Sequence, residues 1–199
     1  TALVTTLLVL SVAVPSVSAQ GPDEVVVEDV TIDEDGATVA VMLYDFDDLG
    51  AVEFVLEYDP TLVEVVSAAN GNMPTTGATY AATEPVIDDV AGTVEQSWLA
   101  IGQAAEGTFT FFTVTFAPLM LGEFDFAYGG DTEFGHFSGG VFVPTYDLGT
   151  ATVATSEVWV DDSWSDQGDV DGYDDSLLWQ YNAYNSIQDG VDAVSGSTV

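Results

Sequence analysis

The sequence predicts an all-β fold, a jelly-roll β-sandwich of about nine short strands with one short C-terminal helix. Three observations predict it. From Val25 to about Val160, apolar residues recur at every second position, the period of a strand with one face buried. Turn-forming pairs punctuate this stretch at Asp35-Gly36, Leu49-Gly50, Asn70-Gly71, Ala91-Gly92, Gly129-Gly130 and Gly139-Gly140. Hydrophobic residues make up 47% of the chain and mean hydropathy is +0.26, so there is apolar surface enough to offset the entropy of ordering.

Val39, Val41 and Leu43 alternate with Thr38, Ala40 and Met42, and Val52, Phe54, Leu56 and Tyr58 alternate with Glu53, Val55 and Glu57. Asp59-Pro60 breaks the second run and Leu62 to Val66 begins another strand. Further strands are expected at Thr93 to Ile101, Gly107 to Ala117, Gly122 to Tyr128, Gly140 to Val143 and Gly149 to Thr155. The alternation slips by one residue around Phe111-Phe112, from Phe109/Phe111 to Phe112/Val114/Phe116, and a β-bulge is expected there. After Val160 the composition changes: seven aspartates lie between Asp161 and Asp175. A helix is then expected from about Asp174 to Ile187, with Leu177, Tyr181 and Tyr184 on one face and Leu178 beside them, closed by Asp189-Gly190.

The 199 residues hold 34 Asp and Glu but no Lys or Arg, a formal charge of -34. An average chain of this length would carry roughly twenty bases. No Lys or Arg salt bridge can form, and a nucleic-acid or phosphate partner is excluded because such ligands are bound chiefly by cationic side chains. The charge must be screened by salt, cations or a cationic partner, which points outside the cell. With no Cys there is no disulfide or thiolate chemistry, and the single His136 excludes multi-histidine metal sites. Residues 1–19 form an apolar run ending in Val17-Ser18-Ala19, the pattern of a secretory signal. The alternatives are a membrane anchor, confined to this segment, and an apolar β-segment that inserts into a neighbouring subunit.

Two stretches carry a family resemblance. Leu49-Gly-Ala-Val-Glu-Phe-Val-Leu-Glu-Tyr58-Asp59-Pro60-Thr-Leu62-Val-Glu-Val-Val66 resembles the early strands of cohesin domains, and Glu106-Gly-Thr-Phe-Thr-Phe-Phe-Thr-Val-Thr-Phe116 resembles a later one. Gly149 to Val153 suits the final strand, so the resemblance covers roughly residues 24–155, with an acidic linker and tail over 156–199. It implies a non-catalytic, secreted or cell-surface sandwich that binds dockerin modules through one sheet face. The docking residues expected on that basis are Val52, Phe54, Leu56 and Tyr58, on the face around Val52 to Tyr58 and Phe109 to Phe116. Gly168-Asp169-Val170-Asp171-Gly172 followed by Asp175-Ser-Leu177-Leu178 resembles half of a dockerin, whose calcium loop leads into a Leu-rich helix. Here the spacing departs: Tyr173 and Gln180 fall where a full loop keeps its fifth and twelfth ligands.

Calcium is therefore the cofactor to expect, on Asp169, Asp171, Asp174 and Asp175, against the plainer alternative of a solvated acidic linker. Leu177, Leu178 and Tyr181 would give the tail an apolar docking face, and if it engaged another copy the chain would assemble head to tail. A glycosidase needs two carboxyls at a set separation, and 34 carboxylates single out no pair. His136 has Ser138 nearby, but adjacency in sequence makes no triad. Trp159 and Trp164, in a polar context, are the candidates for stacking a polysaccharide, against the alternative of core packing. The expected function is extracellular protein–protein assembly; the alternatives are carbohydrate binding and a self-polymerising surface or sheath protein.

Overall fold

The computed structural model describes residues 23–73, 80–155, 158–172, 177–186, 189, 190 and 193. The strands are β1 (Glu24–Val27), β2 (Val30–Ile32), β3 (Ala37–Glu57), β4 (Val63–Asn70), β5 (Tyr80–Ala82), β6 (Val86–Asp88), β7 (Thr93–Ala100) and β8 (Ala105–Pro118). There follow β9 (Gly122–Asp125), β10 (Ala127–Tyr128), β11 (Glu133–His136), β12 (Val141–Phe142), β13 (Thr145–Leu148) and β14 (Thr150–Val153). The tail holds β15 (Trp159–Val160), the helix α1 (Gln167–Asp171) and β16 (Ala183–Tyr184).

The register sorts the main strands into two layers. In the first, β13, β1, the first half of β3, β8 and β4 lie side by side. In the second, β12, β11, the second half of β3 and β7 follow in order, with β5 and β6 on the far side of β7 and β10 continuing alongside β3. A smaller sheet runs β2-β14-β9. Aromatic side chains fill the space between the layers: Phe54 meets Phe112 at 6.2 Å and Tyr58 meets Phe116 edge-on at 5.3 Å between ring centroids. The architecture is the expected all-β sandwich.

The expected turn at Leu49-Gly50 does not form. Both flanking runs belong to the single 21-residue strand β3, which bends from one layer into the other through register shifts between Leu43 and Leu49. Asp45 and Asp48 take positive φ of 50° and 58° at the bend, a conformation that Asp tolerates better than most residues. Gly50 is needed there because a Cβ would lie 2.5 Å from the backbone nitrogen of Phe137. The bulge at Phe111-Phe112 is present: Val41 faces Phe112 and Met42 faces Thr110, so Phe111 is passed over and both phenylalanines are buried.

The helix expected over 174–187 is not found among the described residues; the helical turn lies earlier, at α1, with Asp166 as its N-cap. Residues 177–184 are held in an irregular path instead. Gln167 accepts from the Trp179 backbone N–H at 2.7 Å and donates to the Leu177 carbonyl at 3.0 Å, occupying groups a helix would need. Asn182 Oδ1 takes the Leu178 N–H, and Gln180 sits at φ 65°. The apolar spacing mimicked a helical face because its residues serve two different cores. Leu177 joins Trp164, Val170 and Ala183 in a small core of the tail, whereas Tyr181 enters the main core.

Candidate functional site

The residues expected to dock a partner are mostly inside. Val52, Phe54, Leu56 and Tyr58 are all buried, as are Phe109, Phe111, Phe112 and Phe116, because the apolar face of each strand is the one that closes the sandwich. Leu177 and Tyr181 are buried too, and Leu178 is half-buried against the main core. The Tyr181 hydroxyl donates to the Ala154 carbonyl at 2.8 Å, so the tail is fastened to its own sandwich. Burial and, next, the carboxylates of Glu34 and Asp33 push this hydroxyl's pKa well above the ordinary tyrosine range.

The opposite, outward side of the second layer is the surface left open. Across five strands the register aligns Ala81, Leu99, Ala51, Gly135 and Val141 in one row. Leu99 and Val141 are 49% and 69% exposed, and Ala81, Leu99, Ala51 and Gly135 of this row line a hollow of about 330 Å³ together with Ser97, Glu53 and Glu133. The next outward row is polar: Ser97, Glu53 and Glu133. Glu95 and Glu57 follow farther along β7 and β3. Glu53 and Glu133 are direct cross-strand partners with no Lys or Arg in the chain to separate them. Like charges so placed typically cost a few tenths to about 1 kcal/mol. The expected docking residues lie on the inward face of their strand, and the exposed residues are the other half of the same alternation. Glu133 and Gly135 had no such signal, since the two-residue register of β11 with β12 is set by tertiary pairing.

The remaining expected sites are scattered. Asp169 and Asp171 lie on α1, but the Asp169 carboxylate receives the Ser165 N–H and hydroxyl at 2.8 and 2.7 Å, which holds its pKa below the usual carboxylate value. Asp171 receives the Gln167 amide at 2.5 Å. Two residues apart on a helix they point to different sides, so the pair does not fit one shared cation. Asp174 and Asp175 lie outside the described residues, and among those described no three His, Cys, Asp or Glu side chains are placed to hold a metal. Trp164 is buried in the tail core, which removes it from a sugar platform; Trp98 is also buried, and Trp179 is partly so. Trp159 is 42% exposed on β15.

His136 stacks on Phe142 at 4.3 Å, and its Nδ1 lies 3.8 Å from an Asp48 oxygen. That oxygen also accepts the Ser138 hydroxyl and N–H, and these bonds, more than the nearby imidazole, lower the Asp48 pKa. The aspartate sits between serine and histidine. A triad needs the histidine in the middle to take the serine proton, so the cluster is a structural latch on the β11–β12 hairpin.

The two-layer all-β sandwich is similar in fold to solved cohesin domains. Solved structures share it: a non-cellulosomal cohesin from Archaeoglobus fulgidus, at TM-score 0.53 and 15% identity, covers 67% of this chain and 92% of its own. A type I cohesin–dockerin complex from Clostridium thermocellum matches at TM-score 0.55 and 12% identity over 69% and 99%. A type II cohesin from the cellulosome of Acetivibrio cellulolyticus matches at 0.51 and 14% over 66% and 94%. At these identities what is shared is the fold. No family model matches the sequence, and no curated protein matches it.

Proposed function

We propose that this chain is a non-catalytic, extracellular protein–protein assembly module that receives a dockerin-type partner on the outward face of its second layer. The observation that carries the reading is the five-strand row of Ala81, Leu99, Ala51, Gly135 and Val141, a continuous apolar strip on a protein that carries 34 carboxylates. Several solved structures of the same fold are cohesin–dockerin complexes, which supports the partner class. The absence of Lys and Arg and the signal-like residues 1–19 support a secreted or cell-surface setting. Among the described residues no helix is long and apolar enough to cross a membrane.

The test is retention on immobilised type I and type II dockerin modules loaded with calcium. Wild-type protein is expected to bind at least one module, and Leu99→Asp, on an exposed position, to abolish retention while leaving the far-UV spectrum unchanged. Failure of the wild type on every module, or undiminished binding by Leu99→Asp, overturns the reading.

A further inference from the structure

We propose that the cleft between the two layers, where the end of β4 meets β7, is a binding site for one neutral sugar ring, held by Gln96 and Trp98. The sequence prepares it on β7. Val94, Gln96, Trp98 and Ala100 alternate onto the inward side of this strand and are all buried, so Gln96 stands where the pattern calls for an apolar residue. The docking row passes along the opposite side of the same strand through Leu99, and the cleft does not depend on it.

A buried carboxamide is costly unless its polar atoms are bonded. Only half of this one is. Gln96 Nε2 donates to the Thr83 carbonyl at 3.0 Å and to Asn70 Oδ1, and the Asn70 amide donates in turn to Glu84 at 3.1 Å. These bonds fix the amide, and Gln96 Oε1 and the Trp98 indole N–H have no hydrogen-bond partner among the described residues. Both residues are 2% exposed, and both line a cavity of about 290 Å³ with Asn70, Tyr80 and Phe111. A fixed acceptor beside a fixed donor matches hydroxyl groups, which both give and take a hydrogen bond. The Phe111 and Trp98 rings match the C–H face of a sugar. Among the described residues no charged side chain lines the cavity, on a chain with 34 carboxylates, so the walls select neither a cation nor an anion. Its volume lies near the lower end of small-molecule sites, about 300 Å³, which suits one ring and not a polysaccharide chain. Tyr80 is 40% exposed, with its ring near-parallel to the indole at 6.5 Å, and is the side chain that turns aside to admit the ligand.

The experiment uses the full chain and NMR titration with methyl glucoside, methyl galactoside, methyl mannoside and N-acetylglucosamine, with glucuronate as the charged control. At least one neutral probe is expected to bind saturably and to shift the tryptophan indole N–H resonance that is missing from Trp98→Phe. Trp98→Phe keeps a ring in the core but removes the donor, and is expected to weaken binding roughly fivefold, the scale of one hydrogen bond. Gln96→Leu removes the acceptor and puts an apolar residue where the alternation calls for one; a similar loss is expected with the far-UV spectrum unchanged. Trp159→Phe, on the exposed tryptophan of the tail, is expected to bind as the wild type does. The proposal is overturned if no probe binds, if Trp98→Phe and Gln96→Leu both bind undiminished, or if only Trp159→Phe loses binding. Glucuronate binding as tightly as the neutral probes would overturn it as well.

Discussion

The sandwich and the tail are held by different means. In the sandwich, ten aromatic side chains, among them Phe46, Phe54, Phe112 and Phe116, are buried in one continuous core. Among its described residues the tail has a core of Trp164, Val170, Leu177 and Ala183, and depends on side chains that stand in for regular structure: the Gln167 amide bridging Leu177 and Trp179, Asn182 on Leu178, and Tyr181 pinned to Ala154. A region with a large core tolerates an imperfect hydrogen bond. One with four core residues is defined by each bond it makes.

The comparison is broken most strongly in the sandwich. Phe112→Ala is expected to cost about 3–5 kcal/mol in urea unfolding, because the cavity lies where the two layers meet. A loss under about 1 kcal/mol would mean the layers are not one cooperative core.

The next largest effect lies at the joint. Tyr181→Phe is expected to cost about 1 kcal/mol by leaving the Ala154 carbonyl unpaired, and to raise hydrogen exchange in the tail more than in β3 or β8. The same residue gives the pH dependence a sign. Its pKa is raised in the folded protein, and that of Tyr146 is pushed up to about 12, chiefly by burial. The protonated forms therefore favour the folded state: this stability is intact below the ordinary tyrosine value near 10 and is lost as pH climbs through the folded values. Alkaline melting should be steeper in wild type than in Tyr181→Phe; identical pH profiles would place the tyrosine outside the joint.

The smallest effect concerns both regions. Added NaCl is expected to raise the melting temperature by several degrees as it screens 34 carboxylates. CaCl2 at matched ionic strength is expected to do no more than NaCl, since Asp169 and Asp171 are each engaged by a neighbouring side chain. A larger shift with calcium, lost in Asp169→Asn, would instead establish calcium in the tail.

The alternation of Val52 to Tyr58 located the strand that crosses the second layer, and the slip at Phe111-Phe112 located the bulge, because both are local consequences of which side chains avoid water. Alternation says that two faces differ. It does not say that the apolar one is covered by the protein's own second layer, and for that reason the residues expected to dock a partner are buried. The tail was misread for a related reason: three apolar residues at helical spacing look alike in sequence whether they share one core or divide between two.

By itself the sequence determined the all-β class, the bulge, and a surface without a single Lys or Arg, since periodicity and composition need no knowledge of neighbours. Only the tertiary structure decided that Ala51, Leu99, Gly135 and Val141 would meet in one row and that Glu53 would face Glu133. Those contacts join residues that are distant along the chain, and strand pairing alone brings them together. The acidic composition thereby gained a place: charge that sequence could describe only in total includes, on this face, a Glu53–Glu133 pair set beside an apolar row.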